Sequence, residues 1–136
     1  MSLVKVEGLT KHFRTRVGLA GRAFTHAVDA VDLEIQEGET FGLVGESGSG
    51  KSTLGRCILR LVTPTSGTVW FDGEELSGLR GQRLRKTRLR LQMVFQNPMA
   101  SLDPRMRVGD TVAEPLRVHR GATADQARAH VLALLR

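Results

Sequence analysis

The sequence predicts an α/β fold, and three observations carry that reading. Near the N-terminus, apolar residues alternate with polar ones, as in strands with one buried face. Farther on, "TFGLVG" and "LQMVF" are short, continuously apolar runs of the kind found in strands covered on both faces. Between them the apolar spacing changes to three and four, the helical period.

Each element follows in order. "LVKVEGL" alternates as a strand. The basic stretch "TKHFRTRVGLAGRAFTH" reads as a loop or an irregular hairpin. In "AVDAVDLEIQEGE", Val31, Leu33 and Ile35 alternate with Asp32, Glu34 and Gln36, and a turn at Glu37-Gly38 closes the strand. After the apolar strand "TFGLVG", Leu54, Ile58, Leu59, Leu61 and Val62 suit a helix that "TPTSG" ends at Pro64. "GTVWFDGEEL" is a strand followed by an Asp-Gly turn. "SGLRGQRLRKTRLR" is basic helix running into loop, and "LQMVF" a second fully buried strand. Pro98 and Pro104 mark irregular backbone, and Val108 to Val118 is helical with an interruption at Pro115. Thr123 and Gln126 form a capping box that opens a helix running to the last residue.

Composition narrows the function classes. The 136 residues suit one domain, and the apolar and charged shares, 40% and 25%, are those of an ordinary water-soluble domain. Cys57 is the single cysteine, so no intrachain disulfide forms, and its place in an apolar helical pattern makes it a small core residue. No apolar run has the length of a membrane span, and "MSLVKVEGLTKHF" lacks the pattern of a secretory signal. These features predict a cytoplasmic protein. The net charge of +6 raises nucleic acid as a partner, with Arg80, Arg83, Arg85, Lys86, Arg88 and Arg90 as the contact cluster. No interleaved aromatics accompany those cations, which argues against it.

The chemistry concentrates in "GESGSGKS", Gly45 to Ser52, which fits G-x-x-x-x-G-K-[ST] between a strand and a helix. A loop that wraps an anion with backbone N–H groups needs close approach and unusual dihedrals, and glycines supply both. The following helix adds its N-terminal amides and dipole. Gly45, Glu46, Ser47, Gly48, Ser49, Gly50, Lys51, Ser52 and Thr53 are therefore the predicted nucleotide-binding residues. Lys51 would bridge β- and γ-phosphates, and the Ser52 hydroxyl would join a Mg²⁺ shell. A plain glycine-rich turn is the competing reading, and the flanking strand and helix weigh against it.

With that motif on the page, the chain resembles the ATP-binding subunits of ABC transporters. Phe13, in "LTKHF", matches the aromatic that stacks on adenine in that family. Gln96, in "MVFQNP", matches the glutamine that reaches Mg²⁺ and the attacking water, and it is the one catalytic candidate as well as a metal candidate. "FQNPMASLDPRMRVGDTVAEPL" and the basic loop from Arg14 to Thr25 resemble the oligopeptide and dipeptide importers in particular. Nickel importers share much of the pattern and are the alternative for cargo. The resemblance implies a P-loop NTPase (RecA-like) core with an antiparallel β subdomain and the start of a helical subdomain. It divides the chain into 1–97, the β subdomain with the phosphate-loop core, and 98–136, the Gln96 region and the start of the helical subdomain. It implies ATP and Mg²⁺ as cofactors. The implied partners are transmembrane permease subunits and a second ATP-binding subunit, as homo- or heterodimer, on the inner face of the membrane without insertion into it.

Parts of the family pattern do not occur. There is no L-S-G-G-Q segment, no apolar strand ending in Asp-Glu and no switch histidine. "LSGLRGQ" lies before Gln96 and lacks the paired glycines, Asp72-Gly73 reads as a hairpin turn, and His119 and His130 stand in the wrong context. The chain thus resembles the front half of the nucleotide-binding domain, truncated. The expectation is nucleotide binding with impaired hydrolysis, and a parallel sheet missing one neighbour.

Overall fold

The computed structural model describes residues 2–17, 21–97 and 102–135. The chain divides into two compact units, 1–92 and 93–136.

The first unit is built on an antiparallel sheet in the order β2-β1-β3-β4. Its strands are β1 (Ser2–Val17), β2 (Gly21–Gln36), β3 (Ser66–Phe71) and β4 (Glu74–Glu75). The stretch expected as a loop or irregular hairpin is hairpin: β1 and β2 stay paired from Ser2↔Gln36 out to Val17↔Gly21. Residues 18–20 of the basic stretch lie outside the described residues. Asp72-Gly73 is the two-residue turn between β3 and β4, with Phe71 opposite Glu74 and φ of 50° and 75° at the turn residues. The inward residues of the sheet, Val6, Leu9, Val28, Val69 and Phe71, form one core with Leu54 and Cys57 of α1 (Lys51–Ile58) and with Leu76 and Leu79.

These two long strands do not stay in simple register. Between Lys11↔Val28 and His12↔His26, β1 advances by one residue and β2 by two, so Ala27 is a bulge. Thr10 ties the neighbouring irregularity together. Its hydroxyl accepts from Ala30 N at 3.0 Å, where φ is 43°. The loop after α1 is stitched onto the same part of β1: Thr65 N donates to Thr10 O at 2.8 Å, and His12 N donates to Thr65 Oγ1 at 3.0 Å. Close approach of backbones is built in at Gly67, with φ of 86°, where a Cβ would lie 2.6 Å from Leu9 Cα.

Helix α1 is shorter than expected. It ends at Ile58 rather than running to Pro64. Arg60 takes a left-handed φ of 56° and reverses the chain, and Leu61 N and Val62 N both return to Arg56 O. Arg60 is buried, at 8% exposure, and its Nε donates to Leu76 O at 3.2 Å. The basic segment α2 (Gly81–Arg88) is likewise used for structure. Arg83 pairs with Glu74 at 3.1 Å, the Arg88 guanidinium donates to the Arg60 carbonyl, and Arg90 pairs with Asp72 at 2.6 Å over the Phe71 ring. Half of the predicted nucleic-acid cluster is thereby committed within the molecule.

The two expected buried strands are not strands. Residues 41–46 and 91–95 are extended or irregular, and Val44 and Val94 are each 91% exposed. A strand buried on both faces is created by hydrogen-bonded neighbours on each side, and among the described residues no strand pairs with either run.

In the second unit, α3 (Val108–Arg120) and α4 (Ala124–Leu134) pack through Ala113, Ala127 and Val131. Helix α3 passes through Pro115 without a break, contrary to expectation. The capping box is formed: Gln126 N donates to Thr123 Oγ1 at 3.3 Å and Thr123 N to Gln126 Oε1 at 3.0 Å. Pro98 to Ser101, inside the segment that most specifically matches the peptide importers, lie outside the described residues, as does Arg136. Beyond that gap, the Arg105 guanidinium and backbone N–H hold the Asp103 carboxyl below its ordinary range.

Gly67→Ala tests the close-packed crossing of β1 and β3. A left-handed φ with a Cβ in backbone contact costs about 2–4 kcal/mol. Thermal unfolding followed by circular dichroism is expected to show a Tm lower by roughly 10 °C or more; an unchanged Tm would refute the packing described.

Candidate nucleotide-binding site

The site is assembled by a loop, a helix start and a strand bulge. After Gly45 the chain turns, with Ser49 N donating to Glu46 O at 3.2 Å. Gly50 then caps α1 with a left-handed φ of 93° and no side-chain hydrogen bond. Its Cα stands against β2: a Cβ there would overlap the Ala27 carbonyl oxygen and lie 3.1 Å from its carbon. The Ala27 bulge turns that carbonyl towards the loop, and glycine lets the loop meet it. The first turn of α1 holds no acidic residue. Its free N–H groups and positive dipole end are left for an anion.

Lys51 closes its own loop. Its ammonium donates to Gly45 O at 2.8 Å, Glu46 O at 2.6 Å and Ser49 Oγ at 3.2 Å. Those three bonds use all of its donors. A phosphate bound by the loop must compete for them. Ser52 is exposed at the start of the helix and Thr53 is half-buried beside it. A hydroxyl at this position, next to an ammonium and with no carboxylate in the turn, suits Mg²⁺ that arrives with phosphate oxygens.

Beside the loop lies a cleft of about 450 Å³, lined by Gly45, Ser49, Gly50 and Lys51 on one side and by His26 to Asp29 of β2 on the other. Leu43 and Val44, from the run expected to be a strand, also line it. The β2 wall was not foreseen as part of the site. A signal for it exists: Val28 and Val31 are both apolar and three apart, which breaks strict alternation and marks an irregular strand.

Of the other predicted residues, Phe13 is outside the lining of the cleft and Gln96 belongs to the second unit. Phe13 lies on β1 opposite Thr25. It is 41% exposed, and the Lys11 ammonium sits 5.0 Å from its ring centre. Gln96 is exposed. Cys57 is fully buried on the inner face of α1, and burial pushes its thiol up, as suits a core residue.

Comparison with known proteins bears on the same residues. The ABC transporter family model matches residues 28–135. A putative peptide import ATP-binding protein of Brucella ovis is 46% identical over 116 residues, covering 85% of this chain and 35% of that protein. The glutathione import ATP-binding protein GsiA of Escherichia coli K12 is 44% identical over 135 residues, covering 98% of this chain and 22% of that protein. Among solved structures, the dimeric ATP-binding cassette MJ0796 bound to ADP and Pi is 33% identical with a TM-score of 0.77, covering 97% of this chain and 55% of that one. The chain therefore spans about a third of the Brucella relative and about half of the cassette. The chain docks a glycine-rich loop on a bulged antiparallel sheet, and the family match across most of the chain's length places it in the ABC transporter family.

Proposed function

We propose that this chain binds MgATP through Gly45–Thr53 as part of an energy-coupling ATP-binding subunit of an importer for oligopeptides or dipeptides. The observation that carries the binding step is the phosphate loop itself, held open-ended at the start of α1 by the Gly50–Ala27 contact. The peptide cargo is supported by the names of the two relatives, one for peptide import and one for glutathione, itself a tripeptide.

In this reading the loop amides hold the phosphates and Lys51 exchanges its carbonyl partners for β- and γ-phosphate oxygens. Ser52 and Gln96 supply oxygen ligands for Mg²⁺, and that ion neutralises phosphate charge when bound. Phe13 stacks on adenine, and its neighbour His12 pairs with His26, which lines the cleft. Gln96 links the nucleotide to a permease partner, and a second ATP-binding subunit completes a dimer at the inner face of the membrane. Among the described residues no helix is long and apolar enough to cross a membrane. Hydrolysis in this reading also needs a catalytic carboxylate and a switch histidine, roles that none of the residues assigned here fills.

The test is equilibrium binding of MgATP by calorimetry. The 136-residue chain is expected to bind and to turn over ATP at background rate. Lys51→Ala is expected to lose binding with its far-ultraviolet circular dichroism unchanged, because the side chain serves the loop and not the core. Equal affinity in the two proteins would remove the phosphate loop from the account.

Phe13→Ala separates base from phosphate recognition. An aromatic contact worth about 0.5–1.5 kcal/mol predicts a loss of roughly twofold to tenfold in ATP affinity, with inorganic triphosphate unaffected. An equal loss for both ligands would make Phe13 a packing residue.

A further inference from the structure

We propose that His12, His26 and Asp29 form a binding site for a divalent transition-metal ion of the Zn²⁺ class, separate from the Mg²⁺ of the nucleotide. One ligand atom from each of the three side chains lies within 4.8 Å of the others. His12 and His26 are direct cross-strand partners, and their rings stand 3.9 Å apart between centroids at 41°. Asp29 enters the group because the Ala27 bulge and the left-handed Ala30 interrupt the alternation of β2.

The second observation concerns satisfaction. His12 Nε2 is enclosed and has no hydrogen-bond partner among the described residues. An enclosed imidazole nitrogen left unpaired costs free energy unless something accepts it. The backbone of His12 is pinned by Thr65, at 3.0 Å, so the ring is presented by a fixed strand. Two neighbouring cations are committed elsewhere: Lys11 Nζ donates to Thr63 O at 2.7 Å, and Lys51 is bound into its own loop. Asp29 forms no salt bridge among the described residues. Its charge is free to offset a dication.

The donor set selects the ion. Two imidazoles and one carboxylate suit Zn²⁺, Co²⁺ or Ni²⁺, whereas Mg²⁺ and Ca²⁺ prefer oxygen throughout. Tetrahedral ligands at the usual Zn–N distance lie about 3.3 Å apart. His26 and Asp29 are both exposed, so their side chains have room to rotate towards that spacing. Three protein ligands leave a fourth position for water. The ion would clamp β1 to β2 at the bulge, next to the cleft that His26 and Asp29 also line.

The test is titration of the full 136-residue chain with Co²⁺ and then Zn²⁺, without nucleotide. The visible bands of tetrahedral Co²⁺ and calorimetry read the site. One ion per chain is expected, with Zn²⁺ displacing Co²⁺ and raising Tm. His26→Ala and Asp29→Asn, both at exposed side chains, are expected to weaken binding about tenfold or more. His119→Ala and His130→Ala, which change the other two histidines, are expected to leave it unchanged. No stoichiometric uptake, or uptake that survives His26→Ala and is lost with His119→Ala or His130→Ala, would overturn the proposal.

Discussion

The contact between Gly50 and the Ala27 carbonyl is the constraint on which the placement of α1 and of the loop before it depends. It exists because a bulge turns one carbonyl of β2 out of the sheet ladder, and because residue 50 has no Cβ to collide with it. From that contact α1 takes its starting point. Leu54 and Cys57 then fall onto the same core as Val6, Leu9 and Val69, and the helix's unsatisfied amides face the loop. Helix and glycine-rich loop are thus set against the sheet by a single approach of two backbones.

Near that contact, several cations of the chain are put to internal use. Arg60, Arg83, Arg88 and Arg90 tie the end of α1, the β3–β4 hairpin and α2 together. Lys51 is the cation aimed at the loop, and it is held there by three oxygen acceptors. In the proposed function, nucleotide binding is an exchange of partners for an ammonium already in position, which costs little side-chain ordering. That arrangement fits a phosphate ligand better than a long polyanion.

Local chemistry was legible in the sequence, and features made by neighbours were not. Thr123 and Gln126 carry their capping box within four residues, and Asp72-Gly73 carries its turn within two. The glycine-rich loop and the start of α1 are equally local. By contrast, "TFGLVG" and "LQMVF" are strands only where other strands pair with them, and Val44 and Val94 stand exposed here. The end of α1 was misplaced because a buried Arg60, not Pro64, reverses the chain. The Ala27 bulge was missed because Val28 was left out of the alternation that Val31, Leu33 and Ile35 define. With it went His26 and Asp29, the β2 wall of the cleft.

The central claim is that the Gly50–Ala27 contact organises the phosphate loop. MgATP affinity of Gly50→Ala tests it most directly, with circular dichroism reporting the sheet. The account predicts a retained sheet signal and a loss of affinity of about tenfold or more, since the added methyl forces the loop off the bulge. Parental affinity in that variant would contradict it.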